Sequence, residues 1–219
     1  MIVCDLETTS LDVFQAEIII GYFIHVDENF QIISERRIES CPFKWSYEAE
    51  KIHGISQKQA NKYKDFRFVY EDLINWIILT KSTEFWCHSN VKLYGKIVPY
   101  DYAVLRLNMF NMGDNPYHVV NNLRPFSSHS LAKVLQDQFT FEGFSLDNIC
   151  KQLGIKLKHH DAESDAMACL EIIKQLLPKT NREQLYNYER GINENDESTG
   201  RRNRKKSRPD SGAFNQLSN

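Results

Sequence analysis

Two groups of residues in this chain have the types and spacing for metal-assisted chemistry. Asp5 and Glu7 flank Leu6 directly after the apolar run Ile2-Val3-Cys4. In an extended chain, residues two apart face the same way, so both carboxylates project into one space while Leu6 points away. Like charges held together repel until a proton or a cation joins them, and paired carboxylate oxygens are hard ligands that suit Mg²⁺ or Mn²⁺. The second group is His159-His160-Asp161-Ala162-Glu163-Ser164-Asp165, which opens a helical run. Asp165 follows His160 by five residues, a little over one turn at ~3.6 residues per turn, so both side chains converge near the helix start. Each group also has a plainer reading. The first is then a solvated strand end, and the second a cap whose acids answer the helix dipole.

The elements that would position these groups can be read from the pattern. Glu17 to Val26 (EIIIGYFIHV) is β-branched and aromatic, and Phe30 to Ile38 alternates apolar with polar, so both read as strands after the first at Met1 to Cys4. Asp27-Glu28-Asn29 is the turn between them. Phe66, Val69, Leu73, Ile74 and Ile77 fall at helical spacing over residues 66–80, and Glu84 to His88 reads as a short buried strand. Further helices are expected at 99–109, 130–136, 145–153 and 161–177, with Ser145 and Asp161 as N-caps and Pro178 as a stop. Three strands in a row, then helices alternating with strands, imply an α/β fold with a mixed sheet, antiparallel at one side.

The chain has 219 residues, enough for one well-buried domain and a tail. Residues 1–188 are expected to form that domain, and 189–219 a disordered, partly basic tail. The imbalance in charge supports the split. Residues 1–190 hold 21 basic and 25 acidic side chains, a net of −4, while 191–219 carry a net of +2. The body is therefore no basic sponge for nucleic acid, and any phosphate it meets must be matched by local cations. No apolar run approaches the ~20 residues of a membrane span, and no secretory signal opens the chain. Five scattered cysteines without a C-x-x-C pair exclude a disulfide framework or zinc site and point to a reducing, cytoplasmic compartment.

Taken together, the two clusters carry a resemblance. Ile2 to Asp12 (IVCDLETTSLD) resembles the first motif of the DEDDh exonucleases, the DnaQ-like proofreading and RNA-trimming enzymes, and His160 to Ala166 (HDAESDA) resembles their third. Lys51 to Ser56 (KIHGIS) is similar to the family's H-G-I-[ST] segment, and Phe144 to Ile155 (FSLDNICKQLGI) to the helix before the third motif. The second motif departs from the pattern. Phe85 to Asn90 (FWCHSN) resembles its strand end, but the matching aspartate, Asp101, comes eleven residues beyond Asn90, so 91–98 reads as an insertion. Asp114, in a G-D-N-P stretch with turn chemistry, is the competing aspartate.

The resemblance implies a single-domain, ribonuclease H-like mixed β-sheet flanked by α-helices. It implies hydrolysis from the 3′ end of single-stranded DNA or RNA, releasing nucleoside 5′-monophosphates. Asp5, Glu7, Asp101 and Asp165 would hold two divalent cations, Mg²⁺ or Mn²⁺, which activate the attacking water and stabilise the leaving 3′ oxygen. His160 would be the general base, a task suited to a pKa near 6.5. Its five-residue spacing selects it over His159, whose plainer role is contact with solvent or phosphate. Leu6, Thr8, Thr9, Leu11 and His53 are candidates for holding the terminal nucleotide. His88 and Asn90 are weaker ones, and Phe14, Tyr94 and Tyr102 are aromatics placed to stack on bases. Lys92, Tyr94 and Lys96 in the insertion make it a candidate substrate-side loop. The basic run Arg201 to Arg208 would bind nucleic acid or a protein partner, such as a polymerase that this chain proofreads for. The competing reading is a catalytically silent binding module of the same fold, which would be expected to have lost one of the five chemical residues. The pattern leaves the oligomeric state and the choice of DNA or RNA open.

Overall fold

The computed structural model describes residues 1–158 and 160–191, with every side chain among them except that of Asp114. His159 and the basic run of the tail lie outside the described residues. A six-stranded mixed sheet organises the rest. β1 (Ile2–Thr8), β2 (Ile18–Val26) and β3 (Ile32–Cys41) form an antiparallel meander. On the other side of β1, β5 (Glu84–Cys87) and β8 (Arg124–Ser127) run parallel to it, and the two-residue β4 (Lys64–Asp65) borders β3. The order is β4-β3-β2-β1-β5-β8. This is the mixed α/β sheet that the element pattern and the resemblance implied, and β1 lies within it rather than at an edge.

Alternation along β1 divides the core. Ile2, Cys4 and Leu6 face the layer of α3 (Tyr70–Thr80) and α4 (Tyr100–Phe110), together with Phe23, Phe85 and Leu73. Val3 faces the opposite layer, with Trp86, Phe126 and the apolar sides of α6 (Ser128–Val134), α7 (Leu146–Leu153) and α8 (Ala162–Leu176). Asp5 and Glu7 share the phase of Val3, so the strand aims both carboxylates to the side where α8 packs on it. The N-caps stand as expected. Asp161 accepts from the Ser164 N–H at 3.2 Å and Ser145 from the Asn148 N–H at 3.3 Å. The last helix starts one residue later and ends one residue earlier than the expected 161–177.

Several elements were not anticipated. The insertion is a β-hairpin, β6 (Asn90–Leu93) and β7 (Lys96–Pro99), turned at Tyr94-Gly95. The G-D-N-P stretch read as a turn instead opens α5 (Asp114–Asn121). Pro116 is tolerated there because first-turn N–H groups have no partner inside a helix. α1 (Tyr47–His53) and α2 (Gln57–Ala60) join the meander to α3, and α9 (Arg182–Glu189) closes the described chain, one residue past the expected domain boundary. All five cysteines are free thiols. Among the described residues, no helix is long and apolar enough to cross a membrane.

Gly21, opposite Leu6 in the β1–β2 ladder, has no room for a side chain. An added Cβ would stand 2.7 Å from the Phe23 ring and 2.8 Å from Leu6. Gly21→Ala is therefore expected to destabilise the fold by about 1–3 kcal/mol, read from urea denaturation. A wild-type midpoint would show that the sheet yields there freely.

Candidate active site

The acidic residues meet at the carboxyl ends of β1 and β5, where parallel strands part and leave a crevice. Asp5 and Glu7 come from β1. Asp165 comes from the first turn of α8, and Asp101 from the first turn of α4. One ligand oxygen from each of Asp5, Glu7 and Asp165 lies within 4.8 Å of the other two. Asp101 stands beside them, 4% exposed, and its charge is the strongest felt by Asp5. Of the two competing aspartates, Asp101 is thus the one brought to the cluster.

These groups are poorly hydrated and all of one sign. Burial, then repulsion from Asp101, Glu7 and Asp165, holds the Asp5 carboxyl well above the usual carboxylate range. Burial and the charges of Asp165, Asp101 and Asp161 lift Glu7 to about 7. Burial likewise carries Asp101 to about 7, although the Cys87 thiol and backbone N–H groups of Leu6 and Asp101 favour its ionised form. No lysine or arginine is among the principal electrostatic influences on these three groups. A cluster of hard, mutually repelling anionic oxygens is a donor set that fits divalent cations.

The cluster opens into a cleft of about 1200 Å³. His160 lines it from the turn before Asp161, just ahead of the helix, in a left-handed conformation with φ 60°. Leu6, Thr8 and Leu11 also line the cleft, Leu11 being 79% exposed. Thr9 is a correction. Its side chain is buried and does not line the cleft; its hydroxyl accepts from the Glu17 N–H at 3.0 Å, which ties the loop after β1 to the start of β2. His53, at the end of α1, reaches the cleft with Nδ1 accepting from the Ile55 N–H at 3.0 Å, so its proton resides on Nε2. That Nε2 is buried and has no hydrogen-bond partner among the described residues. Burial lowers the His53 pKa, and a neutral N–H donor results.

His88 and Asn90 line the cleft as well. His88 is anchored from both sides. Its Nδ1 is 2.8 Å from the Ser128 hydroxyl and its Nε2 is 3.2 Å from the Phe144 carbonyl. Asn90 donates to the Ser130 hydroxyl at 2.8 Å. Tyr102 is a further correction, since it is buried in the core against Phe85 and displays no face for stacking. Phe14 and Tyr94 are exposed. In the sequence, Tyr100 serves only as the aromatic neighbour that supports Asp101, and the pair Lys133 and Phe144 is given no role. The Tyr100 hydroxyl bridges Thr8 (2.9 Å) and the Ser10 carbonyl, fixing the loop after β1 against α4. Lys133 stands 3.7 Å over the Phe144 ring on the cleft wall. The tyrosine beside Asp101 was a usable signal, whereas a lysine and a phenylalanine eleven residues apart were not.

The exonuclease family model, RNase_T, matches residues 2–173. The chain belongs to this family. Among solved structures, that of exonuclease I has a similar fold, with a TM-score of 0.66 and 17% identity over 85% of this chain and 42% of that one. E. coli exonuclease I in complex with a dT13 oligonucleotide gives a TM-score of 0.68 at 17% identity, over 85% of this chain and 42% of that one. A structure of exonuclease I with SSB and an inhibitor gives 0.65 at 18%, over 85% and 43%. The chain thus spans less than half the length of these structures. No curated protein matches it. Family and fold place it among the DEDD exonucleases of the ribonuclease H-like superfamily, a family that implies divalent metal use.

Carboxylates raised to about 7 make the metal-free fold more stable when they are protonated. Their folded pKa values exceed the unfolded ones near 4, so the stability they contribute is present at low pH and is lost as pH rises through about 7. In EDTA, the Tm should fall between pH 5 and 8, and Asp165→Asn should raise it and flatten the slope. A wild-type Tm that climbs over that range would contradict the electrostatic reading.

Proposed function

We propose that this chain is a DEDDh-type 3′–5′ exonuclease that removes nucleoside 5′-monophosphates from the 3′ end of a single strand. The observation that carries the reading is the convergence of Asp5, Glu7, Asp101 and Asp165, with His160, on one open cleft. The four carboxylates would hold two divalent cations, Mg²⁺ or Mn²⁺. When bound, such ions lower the pKa of the attacking water and offset charge at the phosphorus and on the leaving 3′ oxygen.

The chain's own residues supply the remaining work. His160 takes the proton from the attacking water, from a lining position next to Asp161 and five residues before Asp165. Thr8 at the end of β1 and Leu11 in the loop after it meet the terminal nucleotide, with Leu6 lining the cleft beside them. The buried Nε2–H of His53, without an acceptor among the described residues, finds one in the substrate. Lys133 places a cation on the cleft wall for a backbone phosphate. The domain doing this is residues 1–188. A single-stranded DNA substrate is favoured by the similar fold of exonuclease I, solved with dT13.

The test is a time course on matched 5′-labelled single-stranded DNA and RNA with Mg²⁺, Mn²⁺ or EDTA. A ladder shortening from the 3′ end is expected, abolished by EDTA and by Asp165→Ala and slowed about 10²- to 10⁴-fold by His160→Ala. No cleavage of either strand would move the reading to a silent binding module. An Asp165→Ala variant with wild-type rates would overturn the site.

A further inference from the structure

The hairpin β6–β7 stands outside this chemistry, yet both its ends are rooted in the cleft wall, through Asn90 and Val91 on one side and Tyr100 on the other. Its sides differ. Val91, Leu93 and Val98 pack against the core around α4. Alternation sends Asn90 and Lys92 to the other face, where Asn90 lines the cleft and donates to the buried Ser130 hydroxyl behind it. Lys92 therefore shares a face with the cleft residue Asn90, while Lys96, opposite Leu93 in the ladder, lies on the other face beside the turn. Residues 90–99 hold two lysines and no acid. Lys92 and Lys96 are both exposed, and no described acidic residue forms an ion pair with either.

The tip has an unusual feature. Tyr94 and Gly95 both have positive φ, 50° and 80°, as a type I′ hairpin turn requires, and the first of those places favours Asn, Asp or Gly. A tyrosine there is backbone-strained, and its ring recovers nothing from packing, because it is 92% exposed. Strain retained on a fully displayed aromatic points to a task outside the free fold. An exposed ring at a tip that carries one cation on each face, neither paired with a described acid, is equipped to stack on a base while a lysine beside it meets an adjoining phosphate. The four residues of β6 carry the tip about 13 Å along the strand from Asn90, at ~3.4 Å per residue. That reach is beyond a terminal nucleotide held at the carboxylates.

We propose that the hairpin tip, Lys92, Tyr94 and Lys96, is a second contact for single-stranded nucleic acid, engaging the strand 5′ of the nucleotide being removed. The inference rests on the exonuclease reading only in taking the strand to enter this cleft. It makes the hairpin a device for affinity toward long strands, with no part in bond cleavage.

The discriminating variant is Tyr94→Asn, which suits the turn and should keep or raise the Tm while removing the ring. On a long oligonucleotide its KM should rise about tenfold, the loss expected for one stacked base, with kcat unchanged. On a dinucleotide, kcat/KM should be unchanged, and Tyr94→Phe should behave as wild type on both. Lys92→Ala combined with Lys96→Ala should also raise the long-strand KM and reduce its dependence on salt, by about 0.7 in log–log slope per lost phosphate contact. A long-strand KM unaltered when Tyr94→Asn, Lys92→Ala and Lys96→Ala are combined would overturn the proposal and leave the tip to a protein partner. If wild-type protein cleaves neither substrate, the exonuclease reading fails separately. Fluorescence anisotropy of a labelled long strand then decides the hairpin, weaker binding by Tyr94→Asn supporting it and equal binding refuting it.

Discussion

Four carboxylates that repel one another in a poorly hydrated space are the constraint around which this structure is arranged. No lysine or arginine is among the principal electrostatic influences on Asp5, Glu7 or Asp101. The nearest stabilising groups are weak donors, the Cys87 thiol and two backbone N–H groups acting on Asp101. The cluster persists because its members are fixed by elements that are secured elsewhere. Asp5 and Glu7 are part of a strand hydrogen-bonded on both sides, and Asp165 belongs to a helix whose next turns are buried against that strand. Asp101 opens a helix whose apolar side fills the opposite layer. The two core layers therefore supply the energy that holds an unfavourable charge arrangement ready for a cation.

The surroundings follow from the same constraint. The loop after β1 must leave the carboxylates accessible without becoming slack. Tyr100 ties it to α4 and Thr9 ties it to β2, while Thr8 and Leu11 remain at the surface of the cleft. The far wall is held by His88, which joins the start of α6 to the segment before α7. Behind that wall, the buried Ser130 takes part in a chain of hydroxyls with Ser127, whose N–H donates to Glu189 at 3.2 Å. Glu189 is itself lifted to about 7 by burial. The last described helix is in this way fastened to the back of the cleft.

The parts of this arrangement that obey a local rule were legible in the sequence. Period-two alternation placed Asp5 and Glu7 on one face and Leu6 on the other, and the caps at Ser145 and Asp161 set two helix starts. The spacing of the second motif flagged residues 91–98 as inserted, but their form was hidden. A Tyr-Gly turn lacks the usual Asn-Gly signal, and one face of the hairpin is only partly buried. Thr9 and Tyr102 were misjudged because their positions next to site residues say nothing of which way tertiary packing turns them. β8 contains Pro125, which a strand accepts here because it lies at the sheet edge. α1 is short, and several of its residues are exposed because they face the cleft, so it offered little periodicity to read.

The central claim is that this cluster exists to be joined by divalent cations, and direct titration with Mn²⁺ followed by electron paramagnetic resonance tests it most plainly. At pH 8 the wild-type protein should bind Mn²⁺ saturably. Asp5→Asn should weaken that binding tenfold or more, the 1.4 kcal/mol step that one lost charge-assisted contact exceeds, while leaving the far-ultraviolet circular dichroism unchanged. Absence of saturable binding, or equal affinity in the folded variant, would contradict the account.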